Sequence, residues 1–385
     1  MTIRRSTYSR PAVLAAGLLT ALACGALAAQ AAAPAGSKPS GANTMSHDTT
    51  YSVADFTTVR KYDAHVHYNV EDSAFLDIAR ADGFELMTIN VDYPDFPALE
   101  TQRNVALAEH RADPQRIHWA ATFSMHGFGQ PGWAEQVQAS LHADVAKGAT
   151  AVKIWKNVGM VEKDAQGRLI MLDNPALSPI AEDIRAMDVA LIGHQGEPHN
   201  CWLPLAKMTT ENDREYFGHH PQYHMYLHPD QPSYDDQMAA RDRFVAAHPQ
   251  LRFVGAHMAS LEYDVDRLSG FLDRFPHAAV DLAARMGQVQ YQSLRDRQKV
   301  RDFFIRYQDR LMYGTDLTYE PGGDPAEFKR SADAVWRSDW QYLATGDSQH
   351  IDTVKADVPG LALPRSVIDK IYYTNAVREF APPRK

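Results

Sequence analysis

"KYDAHVHYN" (residues 61–69) alternates apolar and polar residues and ends with two histidines one position apart. On an extended strand successive side chains point to opposite faces, so His65 and His67 share one face while Ala64 and Val66 take the other. The same parity groups Asp63 with the histidines, where it either holds an imidazole in one tautomer or sits on the outer face of the strand. Two imidazoles aimed together either share a divalent ion or form a satisfied pair at a strand end, and this motif alone leaves both readings open.

Seven more β-rich runs follow: FELMTINV (84–91), IHWAATFS (117–124), ATAVKIW (149–155), VALIGH (189–194), LRFVGAH (251–257), HAAVDLA (277–283) and RLMYGTD (310–316). Stretches of helical period separate them, such as GWAEQVQASLHADVAKG (132–148) and LEYDVDRLSGFLDRFP (261–276), with apolar residues three and four apart. Short strands alternating with helices make a parallel sheet of βα units, and eight of them are the count of an α/β protein with a (β/α)8 TIM barrel. The stretches from 195 to about 233 and from 317 to about 363 read as insertions after strands 5 and 8, at the end where barrels keep their active sites.

The first residues have a different character. Residues 1–31 combine a basic start, an apolar run and small residues suited to signal peptidase, the pattern of a secretory signal peptide. Arg4 and Arg5 loosely match a twin-arginine signal, and Cys24 in "LACG" is a poor lipoprotein site that would anchor the chain to lipid if used. Residues 32–50 read as a flexible leader rich in Ser, Gly, Pro and Thr, and residues 51–385 as the folded domain, secreted or periplasmic. Only Cys201 survives removal of the signal, so an internal disulfide is excluded. A net charge of −9 without a basic block argues against nucleic acid, and no further apolar stretch reaches the ~20 residues of a membrane span.

Polar residues gather at strand ends. His65 and His67 end the first strand, Lys153 lies late in the fourth, and His194, His257 and Asp316 close the fifth, sixth and eighth. A closed barrel brings those ends to one mouth. Imidazoles with a carboxylate suit zinc, with manganese and iron open, and a bound divalent ion lowers the pKa of water toward ~7.

The H-x-H, the strand-ending His194 and His257, "YGTD", "HPQLRFVGAHMASLE" and the closing "KIYYTNAVREF" resemble the amidohydrolase superfamily, in its amidohydrolase-related (amidohydrolase 2) branch of metal-dependent hydrolases and decarboxylases. The resemblance runs from about residue 61 to 380. It implies His65, His67 and His194 as metal ligands and Asp316 as a ligand that also takes a proton from water. For His257 it implies either a second metal or a part in polarising substrate or carrying a proton. Lys153 is either a carboxylated bridge between two ions or a cation near substrate, and the resemblance to one-metal members favours the second and a single zinc. Members of the family often pair as homodimers.

Other residues carry weaker signals. Lys156 has the opposite strand parity to Lys153 and is expected outside. The histidines of the first insertion (199, 219, 220, 224 and 228) read as part of a loop over the mouth rather than a second metal site, with Glu197 and His199 as substrate contacts. Cys201 reads as packing. Asp281 and Arg285 either meet a substrate carboxylate or pair with each other. Three functions follow: hydrolysis of an amide, ester or lactone in a small-molecule substrate, non-hydrolytic decarboxylation of an unsaturated or aromatic acid, or binding of metal or substrate without turnover.

Overall fold

The computed structural model describes residues 49–383. The expected signal peptide, Cys24 and the leader up to residue 48 lie outside the described residues; Thr50 is bridged to Pro364. The eight expected strands are all present: β1 (Lys61–Tyr68), β2 (Phe84–Ile89), β3 (Ile117–Thr122), β4 (Ala151–Ile154), β5 (Ala190–Gly193), β6 (Phe253–Gly255), β7 (Ala279–Asp281) and β8 (Leu311–Met312). A short continuation of the last, β9 (Leu317–Tyr319), pairs in parallel with β1. The sheet order is β8-β7-β6-β5-β4-β3-β2-β1-β9, so the chain winds once round and returns to its start. Two further bonds draw the seam together, Ala64 N–H to the Tyr313 carbonyl at 2.9 Å and Asp316 N–H to the His65 carbonyl at 2.8 Å. Gly314 permits this approach, since a Cβ there would lie 3.2 Å from the Cβ of His65. The molecule is an α/β TIM barrel.

Inside the cylinder Tyr62, Ala64, Met87, Ile89, Ala120, Ala151, Ile192, Val254 and Met312 form the inner core; a larger apolar layer lies between sheet and helices. The strands are buried on both faces, which is why they read as nearly continuous apolar runs.

Strand β1 departs from simple alternation. Asp63 pairs with Leu86 and Val66 with Thr88, so three steps on β1 match two on β2. This bulge turns both Ala64 and His65 inward and reverses the parity of everything before them. His65 and His67 do share the inner face, but Asp63 points out of the barrel. There it accepts hydrogen bonds from Thr315 N–H (3.0 Å), Thr315 Oγ1 (2.6 Å) and Trp336 Nε1 (2.9 Å). The expectation that Asp63 shares the face of the imidazoles is therefore corrected: it holds β1 to β8 and to an outer helix.

The first insertion is a set of short turns and one helix (Glu211–His219) around a small core of Cys201, Met208, Phe217 and Met225. Burial raises the Cys201 thiol, in keeping with a packing role. His219, His220, His224 and His228 each bond a nearby carbonyl, of Glu215, Tyr216, Leu203 and Pro221. The stretch after strand 8 divides in two. Helix Pro325–Ala344 packs Phe328 and Trp336 against Phe75 as the barrel's eighth helix, and the hairpin of β10 (Ser348–Ile351) and β11 (Ala356–Pro359) is the added part.

Candidate metal centre

Two groups of side chains able to hold an ion occur among the described residues, and both lie at the mouth: His65, His67 and Asp316, and His65, His257 and Asp281. Each histidine's orientation is fixed from behind. His65 Nδ1 lies 2.9 Å from Asp281 Oδ2, His67 Nδ1 2.8 Å from the Ile89 carbonyl, and His257 Nδ1 2.9 Å from the Ala283 carbonyl. Facing acceptors, the three Nδ1 atoms carry the hydrogens, which leaves each Nε2 as a lone pair. This is the tautomer that an imidazole needs to bind a metal.

Those lone pairs face a carboxylate. Asp316 Oδ1 is 3.2 Å from His67 Nε2 and 3.4 Å from His65 Nε2. Acceptor against acceptor at that distance is repulsive unless a positive charge lies among them. For His65 a proton is a poor source of that charge, because burial foremost, and then Lys153, lower its pKa. His194 adds a second sign: it is 5 % exposed, yet neither ring nitrogen has a hydrogen-bond partner. Its ring centroid is 4.2 Å from that of His257, which is 4.7 Å from that of His65. Burial is the main force holding the His194 and His257 pKa values well below the ordinary imidazole range, so both are neutral bases. Three neutral imidazoles with one anionic carboxylate suit a divalent ion.

Asp316 differs from its neighbours in meeting solvent, with 33 % of its side chain exposed. Burial acts to raise its pKa, but the adjoining His67 and His65 rings and the charge of Lys153 outweigh that and hold it well below the usual carboxylate range. It sits in the break between β8 and β9 with φ at +67°, in the left-handed region that aspartate tolerates better than most residues. A longer left-handed stretch follows β6, where His257, Met258, Ala259 and Ser260 all have φ between +53° and +57°. Such backbone costs roughly 1–2 kcal/mol per residue, and it persists because neighbours hold it in place. Asp281 Oδ1 accepts the His257 N–H at 2.7 Å, Arg241 donates to the Ala259 carbonyl, and Tyr234 donates to that of Ser260.

Lys153 is fully buried, with Nζ 3.3 Å from His65 Nε2. Burial pushes its pKa down to about 8 against the opposing pull of Asp281 and Asp316. Lys156, expected outside, is corrected: it follows β4 in a loop where strand parity no longer applies, and its Nζ pairs with Glu197 beside Trp155. Glu197 is thus committed to an ion pair. His199 is turned away from the cluster; it stacks on Tyr263 at 4.0 Å and packs against Tyr234. Asp281 and Arg285 do not pair. Asp281 bridges His65 and the His257 backbone, a role that no sequence pattern signalled. Phe96 lies edge-on to His67 at 5.1 Å, and Tyr93 and Trp155 extend this aromatic wall.

The amidohydrolase family profile matches residues 62–381, and the chain belongs to that family. No curated protein matches it. Among solved structures it is similar to an uncharacterized TIM-barrel protein from Bordetella bronchiseptica, with 12 % identity, 84 % of this chain and 99 % of the other covered, and a TM-score of 0.51. It also aligns with 2,6-dihydroxybenzoate decarboxylase from Rhizobium at 16 % identity, with 83 % and 98 % covered and a TM-score of 0.49. At these identities the likeness to the first speaks for the fold. Among the described residues no helix is long and apolar enough to cross a membrane.

Proposed function

We propose that this protein is an exported, metal-dependent hydrolase that adds water to an amide, ester or lactone carbonyl of a small molecule. One observation carries the reading: the ionised Asp316 carboxylate lies within 3.4 Å of the ring nitrogens of both His65 and His67 while a third of its side chain meets solvent. His65, His67, His194 and Asp316 would hold a single divalent ion, zinc by the nature of the donors. When bound, such an ion supplies Lewis-acid charge and makes water acidic enough to ionise near neutral pH.

The chain's own groups supply the rest. Asp316, ionised and exposed, is the proton acceptor for the incoming water and can return the proton to the leaving group. His257, with Nδ1–H committed to the Ala283 carbonyl, presents a lone pair and so serves as an acceptor or further ligand. The Lys153 ammonium offsets the charge of Asp281 and Asp316 and leaves one ion, not two, as the expected content. Export is supported by the signal-like pattern of residues 1–31.

The test is elemental analysis together with a substrate panel of lactones, aryl esters, anilides and aromatic carboxylic acids. The expected result is one zinc per chain, acid release from members of the first three classes, and loss of both zinc and turnover in His65→Ala. Asp316→Asn should cut turnover by about 100-fold or more. Carbon dioxide release without acid release would replace hydrolysis by decarboxylation, and a metal-free protein from zinc-rich medium would end both readings.

A further inference from the structure

Two adjoining cavities lie at the end of the barrel opposite the proposed ion site. The larger, of about 650 Å³, is bounded by residues that lead into four strands, Asp188 before β5, Arg252 before β6, Ala278 before β7 and Arg310 before β8, and by the last helix, Asn375–Glu379. The smaller, of about 490 Å³, has Val245, Phe253 and Phe275 in its wall. Pro249, Leu251, Pro276, His277 and Ala278 line both, so the two spaces share one boundary.

Arginines hold the walls of the larger cavity. Arg252 donates to the carbonyls of Asp188 and Glu379, and Arg378 to that of Asp309, which stitches the last helix across the strand starts. Their charges are matched: Arg252 pairs with Asp188 at 3.4 Å and Arg378 with Glu379 at 3.0 Å, while Asp309 is taken by Lys370 at 2.8 Å. At the smaller cavity Arg274 pairs with Asp242 and His248 with Glu182. Among these arginines Arg310 alone forms no ion pair with a described residue; Asp273, whose charge reaches it, pairs with Arg306 at 2.8 Å.

Arg310 Nη1 donates to the carbonyls of Leu272 and Phe275 at 2.6 and 3.2 Å, which fixes the guanidinium at the end of helix Val265–Arg274. Its other edge, Nε and Nη2, has no hydrogen-bond partner among the described residues. That edge can grip both oxygens of a carboxylate in parallel. One unmatched positive charge calls for a monoanion, and the carboxylates of Asp188, Asp309 and Glu379 around the same cavity disfavour a dianion such as phosphate. An inorganic ion would leave most of both spaces unfilled, whereas an apolar body gains by covering the aromatic and aliphatic wall next door.

We propose that this end of the barrel binds a medium-chain fatty acid, with its carboxylate on the open edge of Arg310 and its chain across the shared boundary in the apolar cavity. The site is built on strand starts and the ion site on strand ends, so this binding is independent of the reaction proposed above.

Octanoate is the probe, with 1-octanol and acetate as its uncharged and chainless counterparts, each titrated calorimetrically into zinc-loaded and chelator-treated protein. Octanoate should bind equally in both states, about tenfold or more tighter than either counterpart. Arg310→Gln should lose about tenfold or more of the octanoate affinity and leave octanol binding unchanged. His277→Glu, at an exposed position on the shared boundary, covers the case in which R310Q does not fold: its added negative charge should weaken octanoate about threefold or more. Octanoate binding that needs zinc would put the carboxylate on the ion at the mouth and overturn the proposal. So would equally tight binding of octanol or acetate, an octanoate affinity unchanged in either variant, or no octanoate binding at all.

Discussion

Replacing Asp281 by asparagine tests the centre at the point that sequence did not reveal. Asp281 Oδ2 lies 2.9 Å from His65 Nδ1, and Oδ1 accepts the backbone N–H groups of His257 and Ala283 at 2.7 and 3.2 Å. In Asp281→Asn the amide oxygen can keep both backbone bonds, but the amide nitrogen then faces His65 Nδ1. An amide N–H donates only, so His65 must move its proton to Nε2, the atom that looks toward Asp316 and His67. The lone pair needed for a metal is lost without loss of packing. Changes of this kind behind a ligating histidine weaken metal binding by roughly 10–100-fold, or about 1.4–2.7 kcal/mol. Competition against a zinc-chelating dye measures the affinity, nitrogen-15 spectra of the imidazoles report the tautomer, and the melting of metal-free protein controls for folding. Asp281→Ala, which strands the two backbone donors, should in addition lose roughly 1–3 kcal/mol of stability. Zinc affinity in D281N within about threefold of wild type, or a proton still on Nδ1 of His65, would refute the assignment.

Three further outcomes follow from the packing and the sequence. Trp336→Phe removes one donor to Asp63 while keeping a ring against Phe84, so stability should fall by roughly 1–2 kcal/mol with zinc affinity unchanged; a tenfold loss of affinity would put Asp63 back among the imidazoles' partners. Burial raises the Asp339 carboxyl to about 7, so between about pH 4 and 7 the folded protein keeps a proton that the unfolded chain releases. The stability this contributes is complete at about pH 4 and below and is lost as pH rises through 7, and Asp339→Asn should flatten that decline in urea midpoints. Expressed with its full leader in an exporting bacterium, the chain should be recovered beginning near residue 32, read from intact mass.

The barrel was legible because parallel strands buried on both faces leave short β-branched runs that helices separate cleanly, and all eight appear where those runs fall. His65, His67, His194, His257 and Asp316 meet for a related reason: each lies toward or just beyond the C-terminal end of a strand, and closure of the cylinder brings those ends together whatever the details. Asp63 was not legible, since one extra residue at Ala64–His65 reverses parity and nothing in the local sequence marks a bulge. Lys156 was misplaced by the same arithmetic carried past the end of β4. Asp281 lies on the seventh strand, and its hydrogen bonds to His65 and to the left-handed turn at His257 depend on contacts across 216 and 24 residues of sequence. The eighth helix was taken into an insertion because the break at Asp316 separates β8 from β9 and hides where the repeating unit resumes.

That break has a wider meaning. His65 and His67 stand on the strand that opens the barrel and Asp316 in the break between the two strands that end it, so these side chains meet only when the two edges of the sheet have found each other. An ion gripped by all three would act as a rivet across this joint, tying the start of the domain to its finish. Binding of that kind couples cofactor retention to the integrity of the wall; on chelation, amide exchange should quicken first along 64–67 and 315–319, while the opposite side of the cylinder stays protected.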